Sequence, residues 1–271
     1  MPRFHVVVAL AAMSLLASAC GGPEIEEDLM SWEEFRATAY KEDFEGGKYI
    51  INGDEPLETE EELESYYYAH YLGDEGTSED GLAVRHVNNK DVIWPTDLRR
   101  KLTYCIKKSS FGANYSKVVS AMKSAAAAWE ATAGVNFIHV IKYDTNCTPS
   151  QSNVLFDVSM VREQPYLARA FAPSTTRSAH TLRINTSAFA NQSPLTLTGI
   201  LRHELGHVLG FRHEHIRKKQ SDKDCVEDKS WRGVTEYDAY SVMHYPWCLG
   251  KQTGDLVLTG KDKTGARRLY P

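Results

Sequence analysis

The sequence predicts an α+β fold in which a long helix precedes the second strand, a later helix carries a histidine motif, and an acidic segment comes before both. Three observations predict it. Strand-like and helix-like periodicities alternate between Lys101 and Asn185. A second helical pattern after Ser193 carries His203 and His207 four residues apart. Charge divides sharply: residues 21–80 hold 20 acidic and 3 basic side chains, whereas residues 81–271 hold 27 basic and 16 acidic.

The 271 residues, 42% hydrophobic and 25% charged, have an ordinary globular composition with room for one large domain or two small ones. The only long apolar run, Val6 to Ala19, follows Arg3 and is too short for a bilayer helix, so residues 1–20 read as an export signal. Ala17-Ser18-Ala19 fits ordinary signal cleavage. Cys20-Gly21-Gly22 resembles a lipoprotein box, which makes Cys20 a candidate for lipidation. Setting Cys20 aside from the five cysteines leaves Cys105, Cys147, Cys225 and Cys248, which allow three pairings. Cys105 with Cys147 and Cys225 with Cys248 is the favoured one, because the second pair would tie the loop after the histidine motif to a segment further downstream. Their wide spacing argues against a cysteine metal site.

Residues 21–87 form the acidic segment. Trp32, Phe35 and Tyr40 suggest a short helix, Tyr49 to Ile51 a strand, and Glu60 to Tyr71 a second helix. A folded acidic segment lying across a basic domain is one reading; a solvated linker is the other. Gly76, Gly81, Asn88 and Pro95 break regular structure, so residues 81–97 read as a joint with Arg85, Arg99 and Arg100 as candidate cleavage points. Residues 88–271 follow as the main domain. Lys101–Ile106 reads as a strand. Val118, Val119, Met122, Ala125, Ala126 and Trp129 recur at helical spacing, with Asn114 as a cap and Gly134 at the end. Val135–Ile141 reads as the next strand, which implies a right-handed parallel crossover. Val154–Met160 and His180–Asn185 are further strands. Ser193 and Pro194 suit the start of the histidine helix, Leu201, Leu205, Val208 and Leu209 its core face, and Gly199, Gly206 and Gly210 a close approach. Thr259 caps a final helix, with Asp262 three residues on and Tyr270 at its end.

The chemistry concentrates at residues 203–214. On a helix His203 and His207 leave the same face one turn apart and can share an ion, with Glu204 projecting beside them. Gly210 lets the chain leave the helix and bring His213 round as a third ligand. Three imidazoles leave one open position, as in catalytic zinc sites, so one Zn2+ is expected, with Glu204 as general base toward a water there. Asp222, Asp224, Glu227 and Asp228 lack a recognised calcium spacing and read as a solvated acidic loop. His139, His180 and His215 form no pattern and read as surface or satisfied core residues.

The 203–214 stretch resembles the metzincin zinc-peptidase signature, and Ser241-Val242-Met243-His244-Tyr245 resembles the Met-turn of its astacin branch. Weaker similarity extends over residues 90–271. The resemblance implies a zincin catalytic domain with a twisted mixed sheet, Met243 as an apolar floor beneath the metal, and Tyr245 as a phenol that stabilises the oxyanion. It also implies an antiparallel edge strand at Tyr166–Ala172 that accepts extended peptides. Glu214 is an astacin trait, whereas Lys218-Lys219-Gln220 departs from that pattern; the chain looks more like a bacterial exported relative than an animal astacin. Ile51-Asn52-Gly53-Asp54 resembles the motif by which astacin-type precursors place an aspartate on the zinc, although Asn-Gly-Asp before Pro56 is also plain turn chemistry. The expected activity is that of an exported zinc endopeptidase made as a latent precursor, secreted or lipid-anchored at the cell envelope. A peptide or protein is its substrate and its own prosegment the inhibitor. No nucleic-acid partner is expected, and contact with a membrane only through Cys20. The competing readings are a catalytically silent peptide-binding scaffold and a zinc amidase acting on cell-wall material.

Overall fold

The computed structural model describes residues 30–68, 80–190, 192–218, 225, 227–251 and 255–271. The export signal, Cys20, Asp222 and Asp224 lie outside these residues.

Helix α1 (Trp32–Thr38) opens with a capping box between Ser31 and Glu34. Tyr40, expected within that helix, instead begins β1 (Tyr40–Lys41), which pairs antiparallel with β2 (Tyr49–Ile51); β2 turns back as β3 (Glu55–Leu57), and α2 (Glu60–Tyr66) follows from a Thr59 cap. The acidic segment is thus a small three-stranded sheet flanked by two helices. It packs against the main body through Ile50, which meets Val161 and Tyr166. Glu42 adds a buried bidentate pair to Arg169, with both N–O distances 2.7 Å. A planar guanidinium matched to a carboxylate in this way is well paired, as a charge removed from water must be.

The main body comprises β4 (Asp80–Val87), β5 (Lys90–Asp91), β6 (Leu102–Ile106), α3 (Lys108–Phe111), α4 (Tyr115–Glu130), β7 (Phe137–His139), β8 (Phe156–Val161), β9 (Ala168–Arg169), β10 (Thr181–Asn185), α5 (Leu197–Val208), β11 (Trp231–Glu236) and α6 (Gly260–Leu269). Its principal sheet has the order β7-β6-β8-β10-β9, parallel except for β9, which runs antiparallel at the edge. The β6-α4-β7 unit is the parallel crossover its periodicity predicts. Asn114 occupies the cap position of α4 but makes no side-chain cap bond. The edge strand is much shorter than the Tyr166–Ala172 expectation. Asn185 Nδ2 donates to the carbonyls of Gln164 and Tyr166, at 2.8 and 2.9 Å, and so takes over part of the ladder there.

Residues 81–97 are not simply a joint. β4 pairs antiparallel with β11, and on its other side Ala83 O accepts from Arg212 N at 2.8 Å while Arg85 N donates to Gly210 O at 2.9 Å. Arg85, considered a cleavage point, therefore lies in a strand that braces the loop between the second and third histidines. β4 belongs structurally with the main body, upstream of the boundary drawn at residue 88.

Helix α5 starts later than its proline suggests. Thr196 Oγ1, rather than Ser193, accepts from Gly199 N at 3.0 Å, and the Ser193–Pro194 peptide is cis ahead of the helix. Leu201, Leu205, Val208 and Leu209 are fully buried against α4, where Trp129 donates to Arg202 O at 2.9 Å and stacks on Phe211. The last carbonyls of α5 are satisfied by Trp94 Nε1 on Val208 O at 2.7 Å and Tyr270 Oη on Leu209 O at 2.6 Å. Gly210 then turns the chain with φ 90°. Asp262 closes the capping box of α6, as expected from Thr259, and also accepts from Ser241 Oγ at 2.6 Å and Val242 N at 2.9 Å. The final helix therefore holds the turn that contains Met243. Cys105–Cys147 and Cys225–Cys248 are both bonded.

Gly206 faces Met243, and a Cβ there would overlap the sulfur and crowd Trp129, whereas a Cβ on Gly260 meets nothing within 4 Å. Gly206→Ala is expected to lower stability by about 1–3 kcal/mol through overpacking. Gly260→Ala should change it little; denaturant unfolding of the two variants checks the difference.

Candidate metal centre

One turn of helix separates His203 from His207, and the Gly210 turn brings His213 opposite them. Their Nε2 atoms form an equilateral triangle 3.2 Å on each side. Every Nδ1 faces an oxygen: His203 meets Val242 O at 2.8 Å, His207 meets Phe211 O at 2.9 Å, and His213 meets Glu227 Oε1 at 2.5 Å. Carbonyl and carboxylate oxygens only accept, so each Nδ1 carries its proton and each neutral ring turns its Nε2 lone pair inward. Three lone pairs this close repel unless a cation lies between them. A tetrahedron with 3.2 Å edges has its centre about 2.0 Å from each corner, the usual Zn–N length.

Asp54 faces the fourth position. Its Oδ1 lies 3.4 Å from His213 Nε2, and its Oδ2 lies 3.6 and 3.7 Å from those of His203 and His207. Oδ1 has no hydrogen-bond partner although it is buried. Hairpin geometry puts it there. Asn52 and Gly53 both have positive φ, 54° and 89°, so the Asn-Gly turn aims Asp54 at the histidines, and a Cβ on Gly53 would lie 2.8 Å from Tyr245 Oη. The turn and an aspartate facing the triad, separate readings of this stretch in the sequence, occupy one feature.

Burial opposes ionisation of Asp54, but the facing His213 and His207 outweigh it and hold the carboxyl well below the usual range. His213 is also buried, yet Glu227 and Asp54 push it well above an ordinary imidazole. The carboxylates thus demand positive charge at the centre, and a dication held by neutral rings supplies it. The donor chemistry fits one Zn2+ ion.

Glu204 is buried beside the triad, with Oε2 lacking a hydrogen-bond partner. Burial and then the charge of Asp54 push its carboxyl well above the usual value. Met243 lies fully buried against Gly206. The Tyr245 ring packs 4.2 Å from that of His213 and 5.7 Å from that of His203, with Oη donating a long bond to Asn52 O at 3.4 Å. Burial, aided by Asp54, raises its phenol well above the ordinary value, so it remains a donor. Two cavities flank Asp54. One of about 440 Å³ includes Ala170, His207 and Arg212 in its lining; the other, of about 170 Å³, is lined in part by Leu195, Ile200, Glu204, Tyr245 and Leu256.

Residues 94–221 match the matrixin family model. The matched stretch contains all three histidines. High choriolytic enzymes 2 and 1 of Oryzias latipes are each 33% identical over a 72-residue alignment, with 20% of this chain covered, and the chain spans only about a quarter of their length. Two solved structures are also similar. Myroilysin is 19% identical with a TM-score of 0.48, covering 70% of this chain and 98% of its own. High choriolytic enzyme 1, described as a hatching enzyme zinc-protease from Oryzias latipes, is 16% identical with a TM-score of 0.41, covering 65% of this chain and 96% of its own.

The centre also contains residues that sequence spacing left unassigned. The carboxylates of Glu227 and Asp228 are buried rather than solvated. Arg212 pairs with both, at 2.9 and 2.6 Å, and with Glu55 of the acidic segment at 2.7 Å. Their side chains meet only in the fold, so no local pattern reveals them. His180 is a buried core residue whose ring nitrogens lie 3.1 and 2.8 Å from Leu155 O and Thr175 O; His139 pairs with Asp144, and His215 lies 3.1 Å from Glu227. Glu214 accepts from Asp238 N at 2.8 Å and Arg217 Nη1 at 3.1 Å.

Two outcomes are expected. Metal analysis should find one zinc per chain, with His203→Ala or His207→Ala reducing it to a small fraction. His244 donates through Nδ1 to Tyr245 O at 2.9 Å and accepts from Tyr237 Oη at 2.8 Å. Burial lowers its pKa to about 4. The unfolded imidazole binds its proton near ~6.5, before the folded one does, so stability falls as pH drops from that value toward 4. Thermal unfolding across this window should show a shallower fall in His244→Asn than in the natural protein.

Proposed function

We propose that the chain is an exported zinc endopeptidase of the astacin-like branch, made as a latent precursor whose acidic segment covers its own cleft. The carrying observation is the convergence of three Nε2 lone pairs on a point flanked by Glu204 and capped by Asp54. His203, His207 and His213 would hold the ion, which when bound supplies Lewis acidity toward a water and a peptide carbonyl. Glu204, as its carboxylate, takes the proton of the attacking water and passes it to the leaving amine. Tyr245 keeps its proton and donates to the oxyanion of the tetrahedral intermediate once the hairpin no longer covers it. Extended peptide would run along β9 between the two cavities, one of which offers apolar walls from Leu195, Ile200 and Leu256.

Latency follows from where the hairpin lies. Asp54 occupies the position a substrate carbonyl would need, while Glu42 on Arg169 and Glu55 on Arg212 fasten the segment on either side. The opposite charges of the two regions match this arrangement. Two disulfides suit an oxidising compartment, and among the described residues no helix is long and apolar enough to cross a membrane. Export through residues 1–20, with secretion or lipidation at Cys20, completes the reading.

Glu204→Gln is expected to lower peptide hydrolysis by about 10²–10⁴ while zinc content stays at one per chain; normal hydrolysis in that variant would exclude Glu204 as the base. Asp54→Ala in the uncleaved chain should hydrolyse a quenched peptide library at least tenfold faster than the natural precursor. Equal latency in both would remove Asp54 from the inhibitory role.

A further inference from the structure

The three imidazoles are not oriented alike. His203 and His207 donate to main-chain carbonyls, whereas among the described residues Glu227 is the carboxylate that orients an imidazole of the triad, His213. His213 lies beyond the end of α5, so helical geometry does not set the direction of its ring. Glu227 Oε1 accepts from His213 Nδ1 at 2.5 Å, Oε2 accepts from Arg212 Nη2 at 2.9 Å, and the carboxylate side chain is 1% exposed. Its own position is fixed twice. Cys225, two residues upstream, is bonded to Cys248 beyond the Met243 turn, and Arg212 is clamped between Asp228 and Glu55.

We propose that Glu227 is the positioning residue of the third zinc ligand. It locks His213 in the Nδ1–H form, aims Nε2 at the centre, and makes that nitrogen a stronger donor by placing negative charge behind the ring. It touches neither substrate nor the reacting atoms; it acts through His213. The inference rests on the zinc reading of the triad and not on peptide hydrolysis.

The test uses the full-length zinc-loaded chain and the variants Glu227→Gln and Glu227→Ala. Zinc affinity is measured by competition with a chromogenic chelator, alongside thermal unfolding. Glu227→Ala is expected to bind zinc about 10–100-fold more weakly. Glu227→Gln, whose amide oxygen still accepts from Nδ1 but carries no charge, should fall between. Imidazole nitrogen NMR of the zinc-loaded natural chain should show His213 protonated at Nδ1, with its proton further downfield than those of His203 and His207.

Affinities within twofold of the natural protein in both folded variants would overturn the proposal, as would a His213 protonated at Nε2. If Glu227→Ala fails to fold, Glu227→Gln and the NMR signal decide. A natural chain that holds zinc but cleaves no peptide would remove the peptidase reading and leave this inference to the affinity ratio. A chain that holds no zinc would overturn both.

Discussion

The structure depends on bringing three imidazole lone pairs within 3.2 Å of one another. That arrangement is repulsive by itself, and much of the molecule is arranged to enforce it. Gly206 allows Met243 to press against α5, Gly210 turns the chain, and Trp94 and Tyr270 satisfy the carbonyls at the helix end. β4 then fixes the turn between the second and third histidines through Arg212 N and Gly210 O. Asp262 connects the final helix to the Met243 turn, whose Val242 carbonyl orients His203. Each contact places a protein group so that the ion, when bound, meets a site already organised for it.

Electrostatics ties the acidic segment to this centre. The surplus of carboxylates in residues 21–80 has no visible target in the chain's net charge of −5. In the fold, three of those carboxylates face specific cations or imidazoles: Glu42 on Arg169, Glu55 on Arg212, and Asp54 at the triad. Burial makes each of these charges dependent on its partner. Removing the segment would therefore expose Arg169 and Arg212 along the cleft as well as open the metal position, which joins the proposed activation to a change in the cleft's charge.

The three converging histidines were legible because their placement follows helical geometry. Two histidines separated by four residues share a face, and glycine is the residue that lets the chain reverse to His213. Asp54 was legible only by resemblance, since Asn-Gly-Asp equally describes a turn; both properties meet because the hairpin's left-handed residues point Asp54 inward. The expected start of α5 at Ser193 failed because a hydroxyl three residues later makes the cap, leaving the proline outside the helix. The joint at residues 81–97 failed for a different reason. Asn88 does mark a turn, but Gly81 lies within β4, and the partner that makes Asp80–Val87 a strand lies some 150 residues further on in the sequence, at Trp231–Glu236.

By itself the sequence determined the local chemistry: a helix with two histidines on one face, a third histidine beyond a glycine turn, alternating elements of an α+β domain, and a division of charge between two regions. These depend on neighbours within a few residues, where backbone periodicity and side-chain type suffice. Only the tertiary structure decided which carboxylate meets which cation, how β4 braces the ligand loop, and that Glu227 stands behind His213. Those contacts join residues far apart in the chain, and their strength comes from burial, which the order of residues does not state.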